Sequence, residues 1–193
     1  MTRIGIILGS TRPKRVGAQV ASWVADIASR DGVVDYELVD LLDHPLPHLD
    51  EPLSPMLGQY QQEHTLAWAS KVASLDGFVF VTPEYNHGTA GVLKNAIDFL
   101  HAEWNNKAAG LVSYGINGGS GAAAQLRQIC GQLGMADVSK QVTLNLQVDF
   151  ENYTVFTPRD HQVAAVAELL DQVVTWSGAL AHLRSECLSA SGW

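Results

Sequence analysis

Short apolar runs rich in β-branched residues alternate with amphipathic stripes of helical spacing along the chain, and few folds satisfy that alternation. Ile4-Gly5-Ile6-Ile7-Leu8 is the first run, closed by Gly9-Ser10. Val20, Trp23, Val24 and Ile27 follow at i, i+3, i+4 and i+7, the stripe of a helix lying on a sheet. Residues 33–39 read as a second strand. Residues 41–58 hold Pro45, Pro47, Pro52 and Pro55 among several acidic residues, which predicts a long surface loop, and a helix over 59–75 follows. Gly77-Phe78-Val79-Phe80-Val81 is a third strand, broken by Thr82-Pro83, and Leu93, Ala96, Ile97 and Leu100 mark the next helix. Residues 108–114 read as the fourth strand, Leu126, Ile129, Cys130 and Leu133 as another helix, and 138–148 contain the fifth strand. The last helix is expected to open at Thr157-Pro158-Arg159-Asp160, with threonine as N-cap, proline in the first turn and aspartate at the positive dipole end. Its stripe runs through Val163, Val166, Leu170, Val173 and Trp176. No repeat, low-complexity tract or linker divides the chain, so residues 1–185 read as one domain and 186–193 as a frayed tail.

Five strands alternating with helices predict an α/β fold, a parallel sheet covered on both faces in three layers. Right-handed crossovers make the doubly wound, flavodoxin-like strand order 2-1-3-4-5 the economical solution. Ligands in such sheets bind beyond the carboxyl ends of the strands, where the winding reverses between strands 1 and 3. The loops leaving strands 1, 3 and 4 should therefore converge. They are residues 9–17, 82–91 and 115–121, the three loops of most unusual composition.

Composition removes several classes. No apolar stretch approaches the ~18 residues of a membrane span, and the start runs directly into a strand-like segment with no signal-peptide layout. A net charge of −8 argues against a broad nucleic-acid surface. Cys130 and Cys187 cannot make a disulfide framework, so a cytoplasmic setting is expected.

The first loop, Gly9-Ser10-Thr11-Arg12-Pro13-Lys14-Arg15-Val16-Gly17, reaches a helix N-terminus, where free N–H groups and the helix dipole attract anions. Three of the twelve Lys and Arg residues fall within four positions here, a local reversal of sign that points to phosphate; Arg12 has the bidentate geometry for it. Without a ligand the same loop is a solvated basic turn. It matches neither GxGxxG nor GxxxxGK[ST]. The second loop, Thr82-Pro83-Glu84-Tyr85-Asn86-His87-Gly88-Thr89-Ala90-Gly91, mixes aromatic, amide, carboxylate and imidazole groups that suit a planar heterocycle. Glu84 and His87 would also serve in acid–base work, but such turn residues are usually solvated or capping, so neither is assigned a catalytic role and no catalytic residue is nominated. The third loop, Gly115-Ile116-Asn117-Gly118-Gly119-Ser120-Gly121, permits close backbone approach to a ligand.

Other candidates read as structural. Lys94 and Asp98 sit at i, i+4 as a surface ion pair. Cys130 lies on an apolar stripe as a small hydrophobe. His44 and His48 lack a third ligand in register, so no metal site is expected. Ser113 and Ser120 lack the GxSxG elbow of a hydrolase. Trp23, Trp68 and Trp176 are expected in the core.

GSTRPKRVGAQVASWV, TPEYNHGTAGVLKNAIDFL, EWNNKAAGLVSYG and GGSGAAAQLRQICGQLGM together resemble the NAD(P)H-dependent FMN reductases of the flavodoxin-like superfamily, which include quinone, azo and chromate reductases. The resemblance spans roughly residues 3–149. It implies that Ser10, Arg12, Arg15, Val16 and Gly17 hold the FMN phosphate. It implies that Pro83, Glu84, Tyr85, Asn86 and His87 border the isoalloxazine ring, and that Ser113, Gly115, Gly118 and Gly119 approach it. The sequence departs from the family's pattern at Arg15 (often serine), Gly17 (often asparagine), Gly121 (often arginine) and Ala90 (often proline).

The resemblance implies an oxidoreductase that takes hydride from NADPH or NADH onto FMN and passes it to free flavin, a quinone, an azo compound or a metal oxyanion. The cofactor carries the chemistry in such enzymes. It also implies a homodimer or homotetramer. A flavodoxin-like electron carrier without nicotinamide turnover and a flavin-free binding protein on the same fold are the alternatives.

Overall fold

A computed structural model describes residues 1–30 and 32–190. Five long strands make a parallel sheet: β1 (Arg3–Leu8), β2 (Asp35–Asp40), β3 (Gly77–Tyr85), β5 (Ala108–Gly115) and β6 (Ala136–Asn145), in the order β2-β1-β3-β5-β6. The two-residue β4 (Gly88–Thr89) folds back antiparallel on the end of β3. This is the expected order of five parallel strands, with the hairpin added.

Side-chain alternation along the strands divides the core. Ile4, Ile6, Leu8, Val79 and Val81 face α1 (Gly17–Ala28) and α5 (Asp160–Ala179). Ile7, Phe78 and Phe80 face α2 (Glu63–Ala73), α3 (Gly91–Asp98) and α4 (Ser120–Gln132). Because strand side chains repeat with period two, an unbroken apolar run supplies both layers at once.

Several element bounds differ from expectation for identifiable reasons. α2 begins at Glu63 because the Glu51 carboxylate accepts the N–H groups of Gln61 and Gln62 at 2.9 and 3.0 Å, holding that stretch in the preceding loop. β2 starts at Asp35, two residues after the exposed Val33. The proline-rich loop contains two short 3₁₀ turns and is pinned to α3, where Asn95 Nδ2 donates to the Pro47 carbonyl at 2.7 Å. β6 ends at Asn145, whose N–H donates to Asp149, and a hairpin that the sequence reading lacked follows as β7 (Phe150–Glu151) and β8 (Val155–Phe156). Arg159, and not Thr157, caps α5: its N–H donates to the Gln162 side chain, while the Thr157 hydroxyl donates to the Asp149 carbonyl.

Trp68 is in the core and Trp23 packs edge-on against Phe156, but Trp176 is 50% exposed, because the buried stripe of α5 runs through Val166, Leu169, Leu170, Val173 and Ser177. α6 (Ala181–Ala190) occupies part of the stretch expected to fray, and residues 191–193 lie outside the described residues. Among the described residues no helix is long and apolar enough to cross a membrane.

Candidate functional site

The fourteen residues singled out in the three loops all fall at the carboxyl ends of β1, β3 and β5, the middle strands of the sheet. Their parallel register brings the loops together: Leu8 pairs with Val81, Thr82 with Ser113, and Pro83 with Tyr114.

In the first loop Ser10 is buried, and its hydroxyl lies 3.4 Å from the Arg12 N–H and 3.5 Å from the Tyr85 hydroxyl. Val16 occupies the cap position of α1 with no side-chain cap, and the first turn of the helix holds no acidic residue. The N–H end of the dipole is therefore left without a counter-charge from its own turn. The three cations of the loop divide their work. Arg15 is folded inward: Nη1 donates to the Ser10 carbonyl at 2.5 Å, and Nη2 pairs with the Asp40 carboxylate at the end of β2. Arg12 and Lys14 make no ion pair among the described residues, and Arg12 is exposed. Arg15 thus braces the loop, while Arg12 is the guanidinium available to an anion.

The second loop is a two-residue hairpin. Asn86 and His87 have φ of +52° and +63°, the turn in which both central residues take left-handed backbone. The imidazole of His87 projects outward with its side chain 85% exposed, and Nδ1 stands 3.9 Å from Glu84. The Glu84 carboxylate turns the other way, accepting the N–H groups of Gly121 and Ala122 at 2.6 and 3.2 Å. It supplies the negative charge that the N-terminus of α4 lacks within its own turn. Gln125 of α4 accepts the Thr89 N–H at 2.8 Å, a second tie between the hairpin and α4.

The third loop turns at Gly118 and Gly119, with φ of +72° and +74°. A Cβ at Gly119 would lie 2.7 Å from Tyr114 N and 2.8 Å from Ser113 Cβ, so the turn admits only glycine. Ser113 donates its hydroxyl hydrogen to the Gly118 carbonyl at 2.9 Å and holds the loop against β5.

Sequence reasoning passed over Tyr114. Its phenol is buried at the end of β5, interacts with the Ser10 side chain and is held neutral, chiefly by burial, with its pKa raised above the ordinary phenol value. A Cβ at Gly17 would overlap the Tyr114 hydroxyl, so this phenol lies against the start of α1. Asp40, Gln125 and Phe150 were also missed; Phe150 packs on Tyr114 with ring centroids 6.4 Å apart. The hairpin carrying Phe150 crosses from β6 to α1, where Gln19 Nε2 donates to the Thr154 carbonyl at 2.7 Å and Gln19 Oε1 accepts the Phe156 N–H at 2.9 Å. Its only sequence signal was the aromatic spacing of Phe150, Tyr153 and Phe156.

Candidates set aside stay outside this cluster. Lys94 pairs with Asp98 at 2.6 Å. Cys130 is buried in the core and burial pushes its thiol up to about 12, far from a reactive thiolate. His44 packs 5.0 Å from Trp68, and burial followed by the charge of Lys71 lowers its pKa.

The donor set fits FMN. An uncapped helix N-terminus, an exposed guanidinium and a serine hydroxyl are donors of the kind a phosphate takes, and Tyr85, 40% exposed at the end of β3, brings an aromatic ring beside that serine.

The family model described as NADPH-dependent FMN reductase matches residues 2–149. An NAD(P)H-dependent FMN reductase of Schizosaccharomyces pombe is 48% identical over 149 residues, covering 76% of this chain and 74% of the relative. A 2-hydroxy-1,4-benzoquinone reductase of a Burkholderia species is 30% identical over 138 residues, covering 68% and 71%. The solved structure of the flavoenzyme NAD(P)H:(acceptor) oxidoreductase FerB from Paracoccus denitrificans superposes with a TM-score of 0.71 at 21% identity, over 91% of this chain and 98% of that one, and shares the fold.

Proposed function

The chain belongs to the NADPH-dependent FMN reductase family, and from that membership we propose that it carries hydride from NADPH or NADH to FMN and on to a small-molecule acceptor: free flavin, a quinone, an azo compound or a metal oxyanion. It is an oxidoreductase using FMN and NAD(P)H. The observation that carries the reading is the meeting of three loops at the carboxyl end of the sheet, with Arg12 unpaired beside an uncapped α1.

Arg12, the Ser10 hydroxyl and the N–H groups at Val16 and Gly17 would hold the phosphate. Arg15 would act one step removed, keeping the Ser10 carbonyl and Asp40 in place. Pro83, Glu84, Tyr85, Asn86 and His87 would border the ring, with Tyr85 and the hairpin backbone on its edge. Ser113, Gly115, Gly118 and Gly119 would bring backbone close to it. Bound FMN supplies the two-electron chemistry, and the protein supplies binding, orientation and electrostatics. The same reading includes a cytoplasmic setting, with which the free Cys130 agrees, and a homodimer or homotetramer. Support for assembly is the exposed Met56 and Leu57 beside a cavity of about 240 Å³ that Ile97, Leu100, Ile129 and Leu133 line together with the Lys94–Asp98 pair, and light scattering on the eluted peak measures it.

The test is a visible spectrum after FMN addition and desalting, followed by anaerobic NADPH and then a quinone. Retained colour that NADPH bleaches and the quinone restores supports the proposal. Colour that neither NADPH nor NADH bleaches favours an electron carrier. A failed FMN titration sinks the flavin reading.

A further inference from the structure

At the opposite end of the sheet, where β3 and β5 begin, a cavity of about 620 Å³ opens between the end of α2, the residues preceding β5 and α6. Its size lies within the ~300–1,000 Å³ of small-molecule sites. Ala73, Leu75, Ala102 and Ala181 give it an apolar wall, and Lys107 lines it while remaining only 5% exposed. Lys107 Nζ donates to the Val72 carbonyl at 2.7 Å and approaches the Ala73 carbonyl at 3.5 Å, at the very limit of a hydrogen bond. It stands 5.4 Å from the centroid of Phe78. The ammonium is thus held by two carbonyls at the end of α2 and by the face of Phe78, in a place that burial has stripped of water.

The charges around it are mixed. Arg184 Nη1 donates to the Asn106 and Ser177 carbonyls, each at 3.1 Å, and Nη2 pairs with Asp76 at 2.9 Å. Asp76 also accepts the Arg3 N–H, and Glu103 accepts the Tyr60 hydroxyl. Burial first, and then the Arg184 charge, bring the Lys107 amine down to about 8 against the opposing pull of Asp76 and Glu103. A desolvated lysine beside a second cation is the environment in which amines become nucleophiles near neutral pH.

We infer that this cavity binds a small neutral aldehyde and that Lys107 condenses with it. The amine nitrogen bonds to the carbonyl carbon, the nitrogen gives up its two hydrogens, and the carbonyl oxygen departs with them as water, leaving an imine with no change of oxidation state. The apolar wall suits the body of such a ligand, and Lys107 and Arg184 balance Asp76 and Glu103 in charge, so the lining favours a neutral one. The site is independent of the flavin reading, being at the far end of the sheet from the three loops.

The test uses the unmodified protein and benzaldehyde, with cyanoborohydride to trap any imine as a stable amine and peptide mass spectrometry to read each lysine. Lys14, Lys71, Lys94 and Lys140 are internal comparators. At pH 7.5 an amine of pKa about 8 is about a quarter neutral and one at the ordinary 10.5 about a thousandth, roughly a 200-fold difference; burial takes back much of it, so trapping at Lys107 should exceed the comparators about tenfold. Arg184→Gln, checked for folding by circular dichroism, should reduce that excess, because it removes one of the two causes of the lowered value. Trapping at Lys107 that is slower than at Lys14 and Lys94 in the unmodified protein overturns the proposal.

Discussion

Glu84 at the end of β3 accepts the backbone N–H of Gly121 at 2.6 Å, joining two loops 37 residues apart in the chain through the first turn of α4. The carboxylate answers the positive end of a helix that has no acidic residue of its own there. Glu84→Ala leaves two N–H groups without their acceptor and should cost about 2 kcal/mol, while Glu84→Gln keeps one acceptor oxygen and should cost about 1 kcal/mol or less. Urea unfolding of the three proteins checks the order; equal midpoints would show that the contact contributes nothing.

Arg12 and Arg15 should separate cleanly. Arg12→Ala removes an unpaired surface guanidinium and should leave the melting temperature unchanged while weakening FMN by roughly 1.5–3 kcal/mol, the worth of a charge-assisted contact. Arg15→Ala strips the inward partners of Ser10 and Asp40 and should lower the melting temperature as well. FMN titration beside thermal melts distinguishes them, and identical behaviour of the two variants would refute this division of labour.

Gly119→Ala places a Cβ 2.7 Å from a backbone nitrogen at a φ of +74°. The strain should amount to about 2–3 kcal/mol. The loop is expected to open, and FMN affinity should fall with stability. A stable variant with unaltered affinity would show that the turn does not need glycine.

Tyr114→Phe deletes only the hydroxyl that faces Ser10 and the start of α1. It should weaken FMN by about 1 kcal/mol and leave packing against Phe150 intact. The check is FMN affinity measured alongside near-ultraviolet circular dichroism, where a packing change would register.

Lys107 should leave a mark on stability against pH. Its folded pKa of about 8 lies below the ordinary 10.5, so the folded chain binds fewer protons than the unfolded one between those values. That contribution is complete above pH 10.5 and is lost as pH falls through 8. Between pH 8 and 10 the unmodified protein should gain about 2 kcal/mol more stability than Lys107→Met. Parallel curves from chemical denaturation at each pH would rule this out.

The sheet and its three loops were legible because their signals are local. Strand runs such as 4–8 and 77–81 and the stripes of α1, α3 and α4 are periodic over a few residues, and the parallel order follows from connection rules. The site position follows in turn, since the carboxyl ends of the middle strands are where the unusual loops must lie. The aromatic hairpin 150–156 was not legible. Its strands are two residues each, and its anchor, Gln19, lies about 130 positions earlier in the chain.

The sequence by itself therefore determined the layers, the strand order and the end of the sheet at which the three loops meet, because each is set by local periodicity and short connections. Only the tertiary structure decided what the charged and polar side chains do there. Arg15 spends its charge on Asp40 across 25 residues, Glu84 caps α4 across 37, and Lys107 loses its water to the end of α2 across 35. Charge, hydrogen bonding and burial act through space. A residue's partners in those interactions are fixed by packing and leave no pattern in its neighbours along the chain.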